Sequence, residues 1–161
     1  MEHAIVMASG MGTRMRPLTE KTPKPLIRIK DKPMIETVLD GLQARGVGQI
    51  VVVVGYLGEQ FFYLPEKYRN LSIVKNPVYE KVNNISSVYA ARNVLLKGDC
   101  FICEADLYVS DPAIFAADLG HSCYFGKMVP GHSDDWVFVA VISHLSHPGN
   151  DSSFILLKYP V

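Results

Sequence analysis

Glycine and arginine crowd together near the start of the chain, in Ser9-Gly10-Met11-Gly12-Thr13-Arg14-Met15-Arg16-Pro17. Glycines let a backbone approach a ligand closely and aim successive N–H groups at phosphate oxygens. Arg14 adds a planar donor fork that suits a triphosphate. Lys24 follows between Pro23 and Pro25, so its backbone is stiff and its ammonium can be held in one place. The chemistry offered is anion binding, polyphosphate above all. On residue types alone, a flexible glycine turn with solvated basic residues fits the same stretch. It is not a P-loop, because Gly-Lys-Ser/Thr is absent, and it lacks the full GxGxxG dinucleotide fingerprint.

Carboxylates stand at Glu104 and Asp106, where an apolar run ends. Residues two apart in a continuing strand share a face. A carboxylate at a strand's carboxyl end, opposite a phosphate loop, is what a Mg²⁺ ion bridging phosphates needs. A helix cap or a solvated turn acid is the other reading. Asn84 and Ser87 offer an amide and a hydroxyl to a base edge, or else cap a helix. Trp136, the only tryptophan, follows Asp134 and Asp135. An acidic pair beside an aromatic face suits a quaternary ammonium, through charge and cation–π attraction. A part-buried strand tryptophan beside a surface turn is the alternative. His144 and His147 stand beside Pro148-Gly149 and read as a turn rather than a metal pair.

These residues need elements to position them. His3 to Ala8 is a short continuous apolar run, the pattern of a strand buried on both faces. Pro33 opens a helix whose apolar face is Met34, Ile35, Val38, Leu39 and Leu42, and Gly46 suits its end. Gln49 to Val54 reads as a second buried strand. A short helix around Glu59 to Leu64 should end near Pro65. Leu71 to Val74 is a third strand, and Asn83 or Asn84 starts a helix through Ser87, Val88, Ala91 and Leu95. Phe101 to Glu104 is a fourth strand, Asp111-Pro112 starts a short helix, and strands follow from Cys123. Alternation of this kind predicts an α/β fold, a Rossmann-like and mainly parallel sheet with helices on both faces. Ligands of such sheets bind beyond the carboxyl ends of the strands, here the loops from Ser9, Gly55 and Ala105-Asp106.

The chain of 161 residues is long enough for one domain with a real core. Lys plus Arg and Asp plus Glu both total 16, so no net field draws nucleic acid or an anionic membrane. Phosphate affinity must therefore be local. Cys100 and Cys103 have CxxC spacing, but residues three apart in a strand point to opposite faces. With Cys123 they read as core thiols of a reducing compartment. No targeting segment opens the sequence, and no apolar run nears the ~20 residues that span a bilayer. The expectation is a cytoplasmic protein; the sequence sets no oligomeric state.

A longer pattern carries more. Gly10-x-Gly12-x-Arg14-x-Arg16-Pro17-Leu18-Thr19, then Pro23-Lys24-Pro25-Leu26, then Lys32-Pro33-Met34-Ile35-Glu36, resembles the signature of the sugar-phosphate nucleotidyltransferase superfamily. The resemblance implies that Ala8, Ser9 and Gly10 border base and ribose. It implies that Gly12, Thr13 and Arg14 hold the triphosphate, Lys24 sits at the reacting phosphates, and Asp106 binds the metal. Asn83 to Arg92, Val54-Gly55-Tyr56, Glu59-Gln60-Phe61 and Asn76-Pro77 are similar to the CTP:phosphocholine cytidylyltransferase branch. In that comparison Tyr56, Asn84 and Ser87 line the cytidine pocket, and an acidic-Trp step like Asp135-Trp136 takes the choline head. The resemblance makes residues 1–138 a nucleotidyltransferase core, and leaves 139–161 as C-terminal strands without an assigned role. Members of the superfamily continue with further strands that supply a second metal carboxylate, so the C-terminal part reads as truncated beside them.

The expected reaction is transfer of a nucleoside monophosphate from a triphosphate to a phosphorylated small molecule, with release of pyrophosphate. By resemblance the substrates are CTP and phosphocholine, the product CDP-choline and the cofactor Mg²⁺, with no nucleic-acid or membrane partner. Two alternatives remain beside it: a hexose-1-phosphate nucleotidyltransferase using UTP, dTTP or GTP, and a non-catalytic nucleotide-binding domain.

Overall fold

The computed structural model describes residues 1–118, 120 and 122. Cys123, Asp134, Asp135, Trp136, His144 and His147 lie outside the described residues, as do the strands expected from Cys123 and the boundary expected at 138/139. The chain divides into two compact units, Met1–Ala117 and Asp118–Val161, and the first is described below.

The apolar runs become a sheet. Strand β1 spans His3–Ala8, and a two-residue hairpin follows from β2, Arg28–Ile29, and β3, Lys32–Pro33. Helix α1 covers Met34–Arg45, β4 Gln49–Val54, α2 Leu64–Lys67 and β5 Leu71–Lys75. Two short helices, α3 at Ile85–Ala90 and α4 at Arg92–Leu95, precede β6 at Cys100–Glu104. The main sheet has the order β5-β4-β1-β6, and every pairing in it is parallel. Ile5 stands between Val51 and Ile102 in the register.

Period-two alternation splits these strands between two layers. Ala4, Val6, Ala8, Ile50, Val52 and Val54 pack with Ile35, Val38, Leu39 and Leu42 of α1, and with Phe61 and Leu64. Ile5, Val51 and Val53 face the other way, onto Ala91 and Val94. Helices thus cover both faces, as the unbroken apolar runs require. Cys100 packs on the second layer and Cys103 on the first, and both are free thiols. Burial pushes the Cys103 thiol up to about 12, which disfavours the thiolate form.

Local chemistry sets the element ends, with some departures from expectation. α1 begins after Pro33 and stops at Gly46, whose N–H donates to the Gln43 carbonyl at 3.0 Å. The helix expected at Glu59 to Leu64 is instead a 3₁₀ turn, Gly58–Phe61, followed by a separate α2. Pro65 starts that helix rather than ending one, because the first turn needs no N–H from it. The helix expected to run through to Leu95 bends at Ala91. Asn83 Oδ1 accepts from the Ile85 N–H at 3.3 Å, so Asn83 does the capping. Asp111 likewise accepts from the Ala113 N–H at 2.9 Å and starts the turn Pro112–Phe115.

Gly55 joins this frame to the first loop. The Tyr56 N–H donates to the Ser9 carbonyl at 3.2 Å. A Cβ at Gly55 would stand 2.8 Å from that carbonyl oxygen and 2.5 Å from Tyr79 Cγ. Gly55→Ala should therefore destabilise the protein by ~1–3 kcal/mol, as overpacking does. Urea unfolding should show a lower midpoint with an unchanged slope; an unmoved midpoint would contradict the close approach.

Candidate active site

Between β1 and β6 the strand order reverses: β4 lies on one side of β1 and the later β6 on the other. Loops leaving such neighbours diverge and open a crevice at their carboxyl ends. Most of the described residues singled out from the sequence lie there. Ala8, Ser9, Gly10, Gly12, Thr13 and Arg14 line one side of a cleft of about 270 Å³. Lys24, Asn84, Ser87, Glu104 and Asp106 line the rest.

The loop from Ser9 is shaped by 3₁₀ turns at Thr13–Met15, Leu18–Glu20 and Lys24–Leu26. Gly12 opens the first turn with φ 61°, a left-handed conformation that favours glycine. A Cβ there would also stand 2.9 Å from Thr19 Cγ2 and 3.2 Å from Lys24 Cβ. Thr19 is 1% exposed, and its hydroxyl donates to the Gly12 carbonyl at 2.8 Å. The loop is thereby folded back on itself, which brings Lys24 round to the cleft. Gly10 is exposed, and no atom lies within 4 Å of where its Cβ would be, so its backbone faces open space.

Across the cleft the Lys24 ammonium pairs with Asp106 Oδ2 at 2.5 Å, each side chain 31% exposed. The two are 82 residues apart in sequence. Asn84 Nδ2 donates to Glu104 Oε1 at 3.3 Å. The Glu104 carboxyl is held above the ordinary carboxylate range by burial first and by the neighbouring Asp106 charge second; the Asn84 hydrogen bond and the Lys24 charge pull the other way. Among the described residues no group of three or more His, Cys, Asp or Glu is gathered for a metal. The cleft offers the carboxylates of Asp106 and Glu104. That donor set fits Mg²⁺, which commonly takes one or two carboxylates and completes its shell with phosphate and water.

Tyr56 contacts the first loop: its hydroxyl donates to the Glu20 carbonyl at 3.2 Å. Asn84 does not cap α3 through its side chain, which turns to Glu104 instead. Asn76 was overlooked as more than part of a motif. It is 2% exposed and hydrogen-bonds both Ser86 and Ser87 behind the cleft. Its one local signal was an Asn-Pro step directly after a strand, a turn signature. Among the described residues no helix is long and apolar enough to cross a membrane.

Comparison with known proteins bears on the family and the fold. The profile of the nucleotidyl transferase family matches residues 3–128. A 2-aminoethylphosphonate cytidylyltransferase of Lancefieldella rimae is 57% identical over 136 residues, which are 84% of this chain and 55% of that protein. A choline-phosphate cytidylyltransferase of Streptococcus pneumoniae is 39% identical over 136 residues, 84% of this chain and 58% of that one. The chain thus spans little more than half the length of these relatives. The solved structure of a CTP:phosphocholine cytidylyltransferase from Streptococcus pneumoniae superposes with a TM-score of 0.65 at 41% identity, covering 69% of this chain and 47% of that one.

The raised Glu104 pKa has a stability consequence. The folded protein holds this proton more firmly than the unfolded chain does. Ionised Glu104 therefore opposes folding at pH above its folded pKa, and the penalty vanishes below its unfolded pKa. Glu104→Gln should unfold at higher urea than wild type at neutral pH, with the gap closing toward about pH 4. A gap that ignores pH would contradict the assignment.

Proposed function

This chain belongs to the nucleotidyl transferase family, and on that footing we propose that its cleft binds CTP with Mg²⁺ and passes the cytidylyl group to a small phosphonate or phosphate bearing a cationic head. The observation that carries the reading is the Lys24–Asp106 pair, set opposite a glycine loop at the strand-order reversal. A cation and a carboxylate in contact at that place are the partners that a triphosphate and its metal ion would each claim.

In this reading Ala8, Ser9 and Gly10 border base and ribose, and Asn84 and Ser87 face the base. The backbone at Gly12 and Thr13, with Arg14, takes the triphosphate. An acceptor oxygen attacks the α-phosphorus in line; the new O–P bond forms as the α–β bridge breaks, and pyrophosphate leaves with the electron pair. No covalent enzyme intermediate is needed, so the residues act by positioning and charge neutralisation. Lys24 neutralises the phosphate oxygens as charge shifts toward the leaving group. Asp106, with Glu104 beside it, would hold Mg²⁺, whose role when bound is to offset phosphate charge.

For the acceptor, the 57% identity to a 2-aminoethylphosphonate cytidylyltransferase favours that phosphonate. Phosphocholine is the second reading, supported by the likeness of Asn83 to Arg92 and of Asp135-Trp136 to the phosphocholine branch. The two acceptors ask for different chemistry. A primary ammonium needs hydrogen-bond acceptors, whereas a trimethylammonium has no N–H and needs an aromatic face with carboxylates. The free thiols Cys100 and Cys103 suit the cytoplasm, which we propose as the compartment.

Pyrophosphate release tests the reading, run with CTP, Mg²⁺ and each acceptor, beside UTP with glucose 1-phosphate. Release with CTP and 2-aminoethylphosphonate is expected, with phosphocholine slower. Activity with UTP and the sugar phosphate alone would overturn it, and CTP binding without release would favour a non-catalytic domain. Lys24→Met should lower turnover by ~10²-fold or more; wild-type rates in that variant would refute the lysine's role.

A further inference from the structure

In the proposed reaction a triphosphate claims Lys24, and Asp106 then loses that contact and must be held by its backbone. On the near side the Ala105 N–H donates to the Met7 carbonyl at 3.1 Å, which ties the chain to the sheet. On the far side Leu107 and Tyr108 are 54% and 38% exposed, so burial does not fix them. The next tie comes at Val109, whose N–H donates to Thr37 Oγ1 at 2.9 Å. Val109 also packs partly against the core. Apolar packing has no direction, whereas the hydrogen bond sets the angle of the peptide.

Thr37 is buried near the start of α1. Its hydroxyl has one proton, which goes to the Met34 carbonyl at 2.7 Å; the Leu107 carbonyl is farther, at 3.5 Å. A backbone N–H can only donate, so toward Val109 the Thr37 oxygen is the acceptor. The same turn of α1 holds the other side of the cleft. The Met34 N–H donates to the Ile27 carbonyl at 3.2 Å, and the Ile27 N–H donates to the Lys24 carbonyl at 3.1 Å. Ties thus run from the Lys24 turn to the start of α1, and through Thr37 to the loop behind Asp106. Farther along α1, Arg45 donates to the Phe115 and Ala117 carbonyls at 2.6 Å and 2.9 Å, so the later part of that segment has its own anchor.

We infer that Thr37 is a positioning residue for the metal site: its hydroxyl holds the loop from Asp106 to Val109 in place relative to Lys24, so that the carboxylate stays in the cleft when nucleotide takes the lysine. The inference rests on the reading of CTP with Mg²⁺ and deepens it, through a buried side chain of α1 that the reaction itself does not use.

Thr37→Val removes the acceptor and nearly keeps the shape. The readout is the dissociation constant of CTP, measured by calorimetry on the intact chain with Mg²⁺ and again in EDTA, with circular dichroism melting to establish folding. Groups that orient a metal's ligands are worth about 10- to 100-fold in metal affinity. Mg²⁺ should strengthen CTP binding by about ten-fold or more in wild type, and Thr37→Val should lose most of that gain while its constant in EDTA stays unchanged. Thr37→Ser restores the hydroxyl and should recover the gain. Thr37→Ala removes the hydroxyl with less bulk, which keeps the test decisive if the valine variant does not fold. Arg45→Met should melt earlier and still keep the gain. Affinities that weaken equally with and without Mg²⁺, or a matching loss of the gain in Arg45→Met, would make the effect one of general loosening and overturn the inference. So would a Mg²⁺ gain that survives intact in Thr37→Val. A wild-type chain whose CTP binding ignores Mg²⁺ would overturn the metal reading of Asp106, and this inference with it.

Discussion

The cleft depends on one topological constraint: β1 is held on both edges by parallel neighbours, with β4, the next strand of the main sheet, on one side and the later β6 on the other. Pairing on both edges fixes where β1 must end. Ala8 comes to lie beside Val54, and Met7 beside Glu104. The Ala105 N–H then donates to the Met7 carbonyl at 3.1 Å, which carries the alignment one residue past β6 and delivers Asp106. The glycine loop and the carboxylates therefore arrive at one crevice because three backbones are in register. The side chains that face each other across the cleft did not have to find each other by their own attraction.

That matters for the Lys24–Asp106 pair. Both side chains are about a third exposed, where an ion pair is worth ~0–1 kcal/mol. So weak a contact does not hold the fold, and a polyphosphate with its metal ion can outcompete it. The contrast is Glu36 on α1, which is 5% exposed. It accepts from Tyr63 at 2.9 Å and from Lys67 at 2.7 Å, and it ties α1 to the segment around α2. A buried carboxylate satisfied on both oxygens is a structural device, while the partly exposed pair in the cleft can exchange partners.

How much of this could be read in advance varied with the range of the interactions. The runs HAIVMA and QIVVVV are strands to the residue, because a strand buried on both faces needs an unbroken apolar run and the run's ends are its boundaries. Pro65 misled because proline is as suited to the first turn of a helix as it is unsuited to the interior, and residue type alone does not say which. The bend at Ala91 has no proline or glycine to mark it. Glycine spacing and the Pro-Lys-Pro step pointed to an anion site, but no local pattern joins Lys24 to Asp106, 82 residues on; family resemblance supplied that link. Neither source gave the hydrogen bonds from Asn76 to Ser86 and Ser87, because they join separate segments of the chain.

The central claim is that nucleotide and metal share the crevice at the ends of β1 and β6. Amide NMR of the chain with CTP, using paramagnetic Mn²⁺ in place of Mg²⁺, tests it most directly, since the metal broadens the signals of whatever lies near it. The expected result is loss of signal at Gly10, Gly12, Glu104, Ala105 and Asp106, with little change around Glu36 on α1. Broadening centred on Glu36, or none at Asp106 while CTP is bound, would contradict it.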